Sequence, residues 1–200
     1  NDRTVIGNTT PKFQGGFGLS GQWKNFDFTA NFNYMVDFDV YNATNYMLSS
    51  SISNTNNFYN VLADFTQKNR WTYVRADGEC LYKNTNIDGS VNEYITMNAG
   101  KSLWNPADVE DKVTHSYFVE DGSFLRLQDV TIGYTLPSNL TKKWGMSKVR
   151  FYASASNLFI LTGYSGYDPE VDVQSGLTPS MDYNRYPRSR SFVFGTNITF

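Results

Sequence analysis

One stretch of the chain alternates apolar and polar side chains without a break over residues 26–40, where it reads FDFTANFNYMVDFDV. The even-numbered positions are apolar or small, and the odd-numbered positions are mostly Asp, Asn and Thr. A period of two places successive side chains on opposite faces of a β-strand. The stretch is longer than the common strand of about 5–6 residues. It is long enough to cross a bilayer at a tilt, which takes about 9–11 residues.

Four further segments follow the same rule, so the sequence predicts about five antiparallel strands. These strands are expected near residues 13–23, 26–40, 124–136, 149–157 and 191–200. Two connections are short, at Lys24-Asn25 and at residues 137–148, and two are long, at residues 41–122 and 161–190. Within the first long loop, apolar residues recur at three- and four-residue steps between Tyr46 and Gln67, which predicts local helix.

Composition limits the class of protein. Aromatic residues make up 16% of the 200 residues and charged residues 18%, with a net charge of −2 and a mean hydropathy of −0.46. Disordered chains show the opposite balance, and no apolar run approaches the length of about 20 residues that a membrane-spanning helix needs. The near-neutral charge gives no reason to expect a nucleic-acid partner.

Alternation alone fits two folds: a soluble β-sandwich, whose apolar face forms a core, and a transmembrane β-barrel, whose apolar face meets lipid. Asn, Ser, Thr and Gly dominate the polar face, which suits a barrel lumen better than a solvated sheet rich in Lys and Glu. Aromatic residues also collect near the strand ends, as in the girdles of such barrels. They are Trp23 and Trp144 near the short connections, and Tyr34, Phe38 and Tyr41 towards the first long loop. We therefore expect an all-β chain, an antiparallel transmembrane β-barrel with long extracellular loops. A soluble β-sandwich that binds carbohydrate remains the alternative.

Residues 119–137, VEDGSFLRLQDVTIGYTLP, resemble the hallmark segment of the SusC/RagA family of TonB-dependent outer-membrane transporters. Further matches occur in the family's order along the chain. They are DRTVIGN at residues 2–8, NLF at 157–159, GYDPE at 166–170, YPR at 186–188, SFVFG at 191–195 and NITF at 197–200. The resemblance implies that residues 1–200 are the C-terminal segment of a barrel of about 22 strands.

The same resemblance implies a function and a set of partners. Family members import oligosaccharides or oligopeptides across the bacterial outer membrane. A SusD-like surface lipoprotein lids the barrel, and the TonB complex supplies energy through an N-terminal part that this chain does not contain. The barrel wall contacts outer-membrane lipid. In the family no bound nucleotide supplies the energy, and consistently no nucleotide-binding motif of the GxxxxGK[ST] type occurs. We expect no enzymatic activity and no cofactor.

Two groups of residues are candidate sites. In the last long loop, aromatic rings and a guanidinium could bind a sugar or peptide, or contact the lid protein. This group comprises Tyr164, Tyr167, Tyr183, Arg185 and Tyr186. In the last strand, Phe194, Ile198 and Phe200 resemble the signal by which the barrel-assembly machinery recognises its clients.

No catalytic constellation is expected, because the single His115 and the single Cys80 lack motif partners. Asp168, Glu170 and Asp172, with Asp182, have the oxygen ligands of a calcium site but fit a solvated loop better. We therefore predict no metal site.

Overall fold

The computed structural model describes residues 4–49, 60–65, 69–70, 73–74, 80–81, 96–97, 103–104, 116–171 and 179–200. The strands are β1 Phe13–Trp23, β2 Phe26–Val36, β3 Asp39–Asn42, β4 Tyr73–Val74, β5 Cys80–Leu81, β6 Thr96–Met97, β7 Val119–Asp121, β8 Phe124–Thr135, β9 Lys148–Thr162, β10 Met181–Asp182 and β11 Ser191–Thr199. The α-helices are α1 Ala43–Leu48 and α2 Ser138–Thr141, and single 3-10 turns occupy Ala63–Phe65, Ser116–Phe118 and Lys142–Trp144. None of the described helices is long and apolar enough to pass through a bilayer.

Five long strands form one antiparallel sheet in the order β1-β2-β8-β9-β11. In the described part of the chain, β1 and β11 each pair with one strand only, so the sheet is open at both edges. The register runs from Trp23 opposite Phe26, at the first tight turn, to Phe13 opposite Val36. Both short connections therefore lie at one end of the sheet, and both long loops leave from the other end.

The predicted strand over residues 26–40 is wrong beyond Val36. Asp37 has a φ of 63°, which ends the ladder, and the Ser123 hydroxyl accepts a hydrogen bond from its backbone N–H at 2.9 Å. The chain then continues as β3, which pairs with β7 in a separate small sheet. Alternation continues through this break in the sequence, so the period of two gives no sign of it.

The fourth long strand is longer than predicted. β9 extends to Thr162, whereas its predicted end was residue 157, and the last long loop accordingly begins at Gly163 rather than at residue 161. Asn157 has a φ of 53°, and the pairing of β8 with β9 changes register beside it, between Leu127 and Asp129. The irregularity bends the strand without ending it.

The chain divides into two compact units, residues 1–41 with 119–200, and residues 42–118. In the second unit, α1 begins after Asn42, whose side chain accepts a hydrogen bond from the Asn45 backbone N–H at 2.9 Å and so caps the helix. Helix is therefore present at residues 43–48 and 63–65, and the intervening part of the predicted helical segment lies largely outside the described residues. Edge-to-face aromatic contacts join Phe65, Trp104 and Phe118 in this unit.

Candidate functional site

The five-stranded sheet has one continuous apolar face. Cross-strand pairs place Phe17 opposite Phe32, and Phe28 opposite Ile132. The same face continues across β9 to β11, where Ala153 lies opposite Phe194. These large side chains are solvent-accessible in the chain, with Ile132 at 53% and Phe194 at 80% exposure. Contiguous apolar patches of this kind are rare on soluble monomers and mark surfaces that contact a membrane or another protein.

The opposite face of the sheet is polar and internally hydrogen-bonded. The Thr131 and Ser154 hydroxyls are 2.7 Å apart, and Asn31 donates to the Asp129 carboxylate at 3.2 Å. Side chains of this kind satisfy one another across strands and remain compatible with water, as a barrel lumen requires.

An ion pair crosses a strand on this polar face. The Arg150 guanidinium on β9 donates to both carboxylate oxygens of Asp27 on β2, with Nε 2.9 Å from Oδ1. Between them lies Gly133 of β8, where a Cβ atom would overlap Arg150 and Asp27. A glycine is therefore needed at this position, because any side chain would occupy the space that the ion pair fills.

At the long-loop end, the polar face carries a small buried cluster. Phe124 on β8 packs with Phe38 and Val40 from the segment that follows β2, and with Tyr164 and Val171 from the last long loop. Phe38 is 5% exposed. It therefore lies in this cluster and not in an outer aromatic girdle as the sequence had suggested.

Arg126 ties the last long loop to the sheet. Its side chain is buried, and its Nη2 donates to Asp168 Oδ1 at 2.6 Å. Its Nε lies 3.3 Å from Glu170 Oε2 without the geometry of a hydrogen bond. Arg188 in turn donates to Glu170 Oε1 at 2.6 Å. Two arginines and two carboxylates thus hold the loop against β8.

These contacts account for part of the acidic cluster that was considered as a calcium site. The Asp168 and Glu170 carboxylates bind guanidinium groups, and Asp182 accepts from Tyr164 and, at 3.4 Å, from the Arg185 backbone N–H. Asp172 lies outside the described residues. Among the described residues, no group of three or more His, Cys, Asp and Glu side chains is arranged to hold a metal ion.

Tyr164 does not belong to the predicted binding surface. It is 6% exposed, and its hydroxyl donates to Asp182 Oδ2 at 2.7 Å. Burial, reinforced by the hydrogen bond to Asp182, raises the pKa of this phenol well above its ordinary value. The prediction that Tyr164 contacts substrate is therefore corrected: the residue anchors the loop from within.

The other candidates in this loop remain accessible. Tyr167 is 79% exposed, Tyr183 52% and Tyr186 90%, while Arg185 is half-buried. Ion pairs hold this loop in place, and its exposed tyrosines are therefore available to contact a ligand or a partner. Of the five predicted contact residues, four thus stay in the candidate set.

Arg126 is a member of the site that the sequence did not predict. The available signal was a single arginine among apolar residues in the hallmark segment, Phe124-Leu-Arg-Leu127. Charged side chains are almost never buried unless they are paired. This arginine therefore implied a carboxylate partner elsewhere in the chain.

The predicted barrel-assembly residues lie at the opposite edge strand. Phe194 and Ile198 point to the apolar face of β11, with 80% and 50% exposure, and Phe200 follows the strand at 87%. In the described part of the chain β11 pairs with β9 alone, so this row of side chains lies along an open edge. Their role as an assembly signal stays a prediction.

An open antiparallel sheet with one exposed apolar face and one polar, hydrogen-bonded face has the surface pattern of a section of a transmembrane β-barrel wall. The curated relatives of the chain are TonB-dependent receptors. The chain is 33% identical over 205 residues to TonB-dependent receptor P3 of Formosa agariphila, which covers the whole chain and 17% of the relative. It is 41% identical over 86 residues to TonB-dependent receptor SusC of Bacteroides thetaiotaomicron, covering 42% of the chain and 8% of the relative. No protein-family model matches.

Solved structures agree on the fold. A chain in the structure of the RagAB peptide importer in the closed-closed state matches with a TM-score of 0.67 and 24% identity, covering 98% of this chain and 18% of that one. The similarity to TonB-dependent receptor P3 and to SusC confirms the resemblance to the SusC/RagA family that the sequence predicted. The chain spans 17% of the length of TonB-dependent receptor P3. Its sheet corresponds to part of a barrel wall and does not close into a barrel.

Proposed function

We propose that the chain forms the C-terminal section of the barrel wall in a TonB-dependent transporter of the bacterial outer membrane. The transporter would import oligosaccharides or oligopeptides together with a SusD-like surface lipoprotein. The observation that carries the proposal is the sheet with two faces: exposed Phe and Ile side chains on one, and hydrogen-bonded Asn, Thr, Ser, Asp and Arg side chains on the other. The TonB-dependent receptors that match the whole chain support the transport class.

The ends of the sheet suggest an orientation. Outer-membrane barrels have short periplasmic turns and longer extracellular loops. In this orientation Lys24-Asn25 and α2 face the periplasm, and the loop after Gly163 faces the cell exterior. Tyr167, Tyr183, Arg185 and Tyr186 then lie where an incoming substrate or a lipoprotein lid would meet the barrel.

A soluble β-sandwich is disfavoured by the same apolar face. A sandwich buries this face beneath a second sheet about 10 Å away. In the residues that the structure describes, Phe13, Ile132 and Phe194 remain at least half exposed. A soluble protein without such a second sheet would leave these side chains in water, at a cost of about 25 cal/mol for each Å² of apolar surface.

The test uses the full-length gene product that carries this chain. We expect the protein to fractionate with the outer membrane, and a deletion strain to lose growth on oligosaccharides or on oligopeptides as the limiting nutrient. Re-expression should restore growth, whereas re-expression in a strain without functional TonB should not. Recovery of the protein in a detergent-free soluble fraction would contradict the proposal.

The partner is tested separately. Affinity purification of the protein from mild detergent should recover a SusD-like lipoprotein, and surface labelling should place that lipoprotein outside the cell. Uptake that persists unchanged after deletion of the lipoprotein gene would reject the lid while leaving the transport class intact.

A further inference from the structure

Gly21 opens a notch in the apolar face near the short-connection end. In the register of β1 and β2, Gly21 lies opposite Phe28, and Phe28 lies opposite Ile132. A Cβ atom at Gly21 would meet no other atom within 4 Å, so its absence leaves open space rather than relieving a clash. The resulting notch of about 350 Å³ is lined by the side chains of four large apolar residues together with Gly21, Gln22 and Asp27. The four are Trp23, Phe26, Phe28 and Ile132.

A cation lies against Trp23, one of the residues that line this notch. The Lys24 ammonium is 4.7 Å from the centroid of the Trp23 ring, in the range of a cation–π contact. Lys24 occupies the tight turn between β1 and β2 with a φ of 54°. Within the described residues, Lys24 has no carboxylate partner, because the nearby Asp27 binds Arg150.

The surrounding end of the sheet is positively charged. The second short connection and the start of β9 add Lys142, Lys143 and Lys148, all of them exposed. Residues 23–28, 135–150 and 196–200 contain one acidic side chain, Asp27, and its charge is neutralised by Arg150. The unpaired charge at this end of the sheet is therefore that of lysines, and it complements an anionic membrane surface.

We infer that the notch over Gly21 binds one acyl chain of an anionic glycerophospholipid whose phosphate lies against Lys24. The aromatic walls supply the apolar contact area, and the indole of Trp23 holds its place at the interface, where amphipathic rings are favoured. The inference rests on the outer-membrane placement in the proposed function and adds to it a defined lipid site on the barrel wall.

The test measures quenching of Trp23 by lipids with brominated acyl chains. The full-length protein is reconstituted into phosphatidylethanolamine vesicles that contain a minor brominated fraction, either phosphatidylglycerol or phosphatidylethanolamine. The Trp23 signal is the difference between the protein and its Trp23→Phe variant. We expect brominated phosphatidylglycerol to quench this signal as though enriched roughly fivefold, the preference that one lysine at a membrane surface provides.

Four variants separate charge from shape. Lys24→Asn should abolish the preference because it removes the charge, and Asn keeps the turn because it tolerates a positive φ. Lys24→Arg retains the charge and should keep the preference. Gly21→Leu should lower quenching by both lipids because it fills the notch. Ala155→Leu adds the same side chain elsewhere on the apolar face, opposite Val130, and should change nothing.

Equal quenching by the two lipids, or a preference that survives Lys24→Asn, would overturn the lipid site alone. A protein that does not float with the vesicles at all would instead overturn the membrane placement on which the site rests.

Discussion

Arg150 and Asp27 lie on strands that are not neighbours, yet their side chains form a bidentate ion pair above the strand between them. Arg150 belongs to β9 and Asp27 to β2, and the guanidinium passes over Gly133 of β8 to reach the carboxylate. The pair therefore joins three strands on the polar face. Its side chains are partly exposed, at 21% for Arg150 and 35% for Asp27.

Gly133→Val should break this ion pair. A Cβ atom at residue 133 overlaps both partners, so the guanidinium and carboxylate must separate. Loss of a hydrogen-bonded charge pair costs about 1–3 kcal/mol, and we expect the lower end because water reaches the site. The measurement is the free energy of unfolding of the full-length protein in detergent, by urea titration.

Gly21→Val is the matched control for Gly133→Val, since a Cβ atom there meets open space. If the control loses as much stability as the Gly133 variant, the cost comes from replacing any glycine in these strands and not from breaking the ion pair. Asp27→Asn combined with Gly133→Val should then cost little more than Gly133→Val alone.

Arg126→Met should release the last long loop from the sheet. The substitution leaves the Asp168 carboxylate buried without its 2.6 Å partner. Breaking a buried pair in this way costs about 3–5 kcal/mol. We expect faster backbone hydrogen exchange and faster protease cleavage at residues 163–190 in the full-length protein, measured by mass spectrometry.

Arg188→Met provides the comparison for Arg126. Its side chain is 46% exposed and binds Glu170 from the solvent side, so the cost should fall to about 1 kcal/mol or less. Equal effects of the two substitutions would mean that the burial of Arg126 contributes nothing to the loop's attachment.

The sequence predicts the faces of the sheet better than it predicts the ends and irregularities of the strands. The alternation of Phe26, Phe28 and Ala30 follows directly from the pleat of a strand, which a period of two reports. The register shift between Leu127 and Asp129 has no such signal, and it places Leu127 opposite Phe32 on the apolar face. The parity of Val130 and Ile132 alone would have placed Leu127 on the polar face.

Loop contacts are predicted least well, because they join residues distant in sequence. Tyr164 and Asp182 are separated by eighteen positions, and Arg126 and Asp168 by forty-two. No local period reports such pairs. The sequence does not distinguish a buried loop tyrosine from an exposed one. Only the structure separates the buried Tyr164 from the exposed Tyr186.

Tyr164→Phe should lower stability by about 1 kcal/mol near neutral pH, the usual contribution of one hydrogen bond. The raised pKa of Tyr164 also has a pH consequence. The folded state holds the phenol proton more tightly than the unfolded state, whose tyrosine pKa is about 10. This contribution is fully present below pH of about 10 and is lost as the pH rises above that value.

The stability difference between Tyr164→Phe and the parent protein should therefore change only at alkaline pH, as followed by urea unfolding at a series of pH values. Tyr186→Phe, at a ring that is 90% exposed, should stay within about 0.5 kcal/mol of the parent throughout. If the difference in free energy of unfolding between Tyr164→Phe and the parent changes between about pH 6 and about pH 8, a group other than the Tyr164 phenol is titrating. That result would contradict the pH dependence expected of Tyr164.

Phe194→Lys should impair insertion of the protein into the outer membrane. Phe194 lies on the apolar face of β11, and a lysine facing lipid near the bilayer midplane costs about 2–4 kcal/mol. Val193→Lys, on the polar face of the same strand and opposite the uncharged Ser154, should have little effect. Heat-modifiable mobility in gels distinguishes folded from unfolded barrel for both variants, and equal folded yields would argue against lipid on the apolar face.

Phe200→Ser tests the predicted assembly signal apart from stability. Phe200 follows the last described strand and is 87% exposed, so its loss should cost little free energy of unfolding once the barrel has formed. We expect slower appearance of folded protein in pulse-labelled cells, with an unchanged urea midpoint for the protein that does assemble. A lowered midpoint with normal assembly kinetics would assign Phe200 a packing role only.

Tyr167→Ala and Tyr186→Ala should weaken substrate uptake without loosening the loop that carries them. Both rings are largely in water, whereas the contacts that hold the loop come from Arg126, Tyr164 and their carboxylate partners. A stacked aromatic contact contributes about 0.5–1.5 kcal/mol, so each substitution should raise the half-saturating substrate concentration by roughly two- to tenfold. Uptake by the full-length protein measures this change, and proteolysis of residues 163–190 checks that the loop is intact. If the two tyrosines instead contact the lipoprotein lid, the substitutions will reduce recovery of the lipoprotein on affinity purification and leave the half-saturating concentration unchanged.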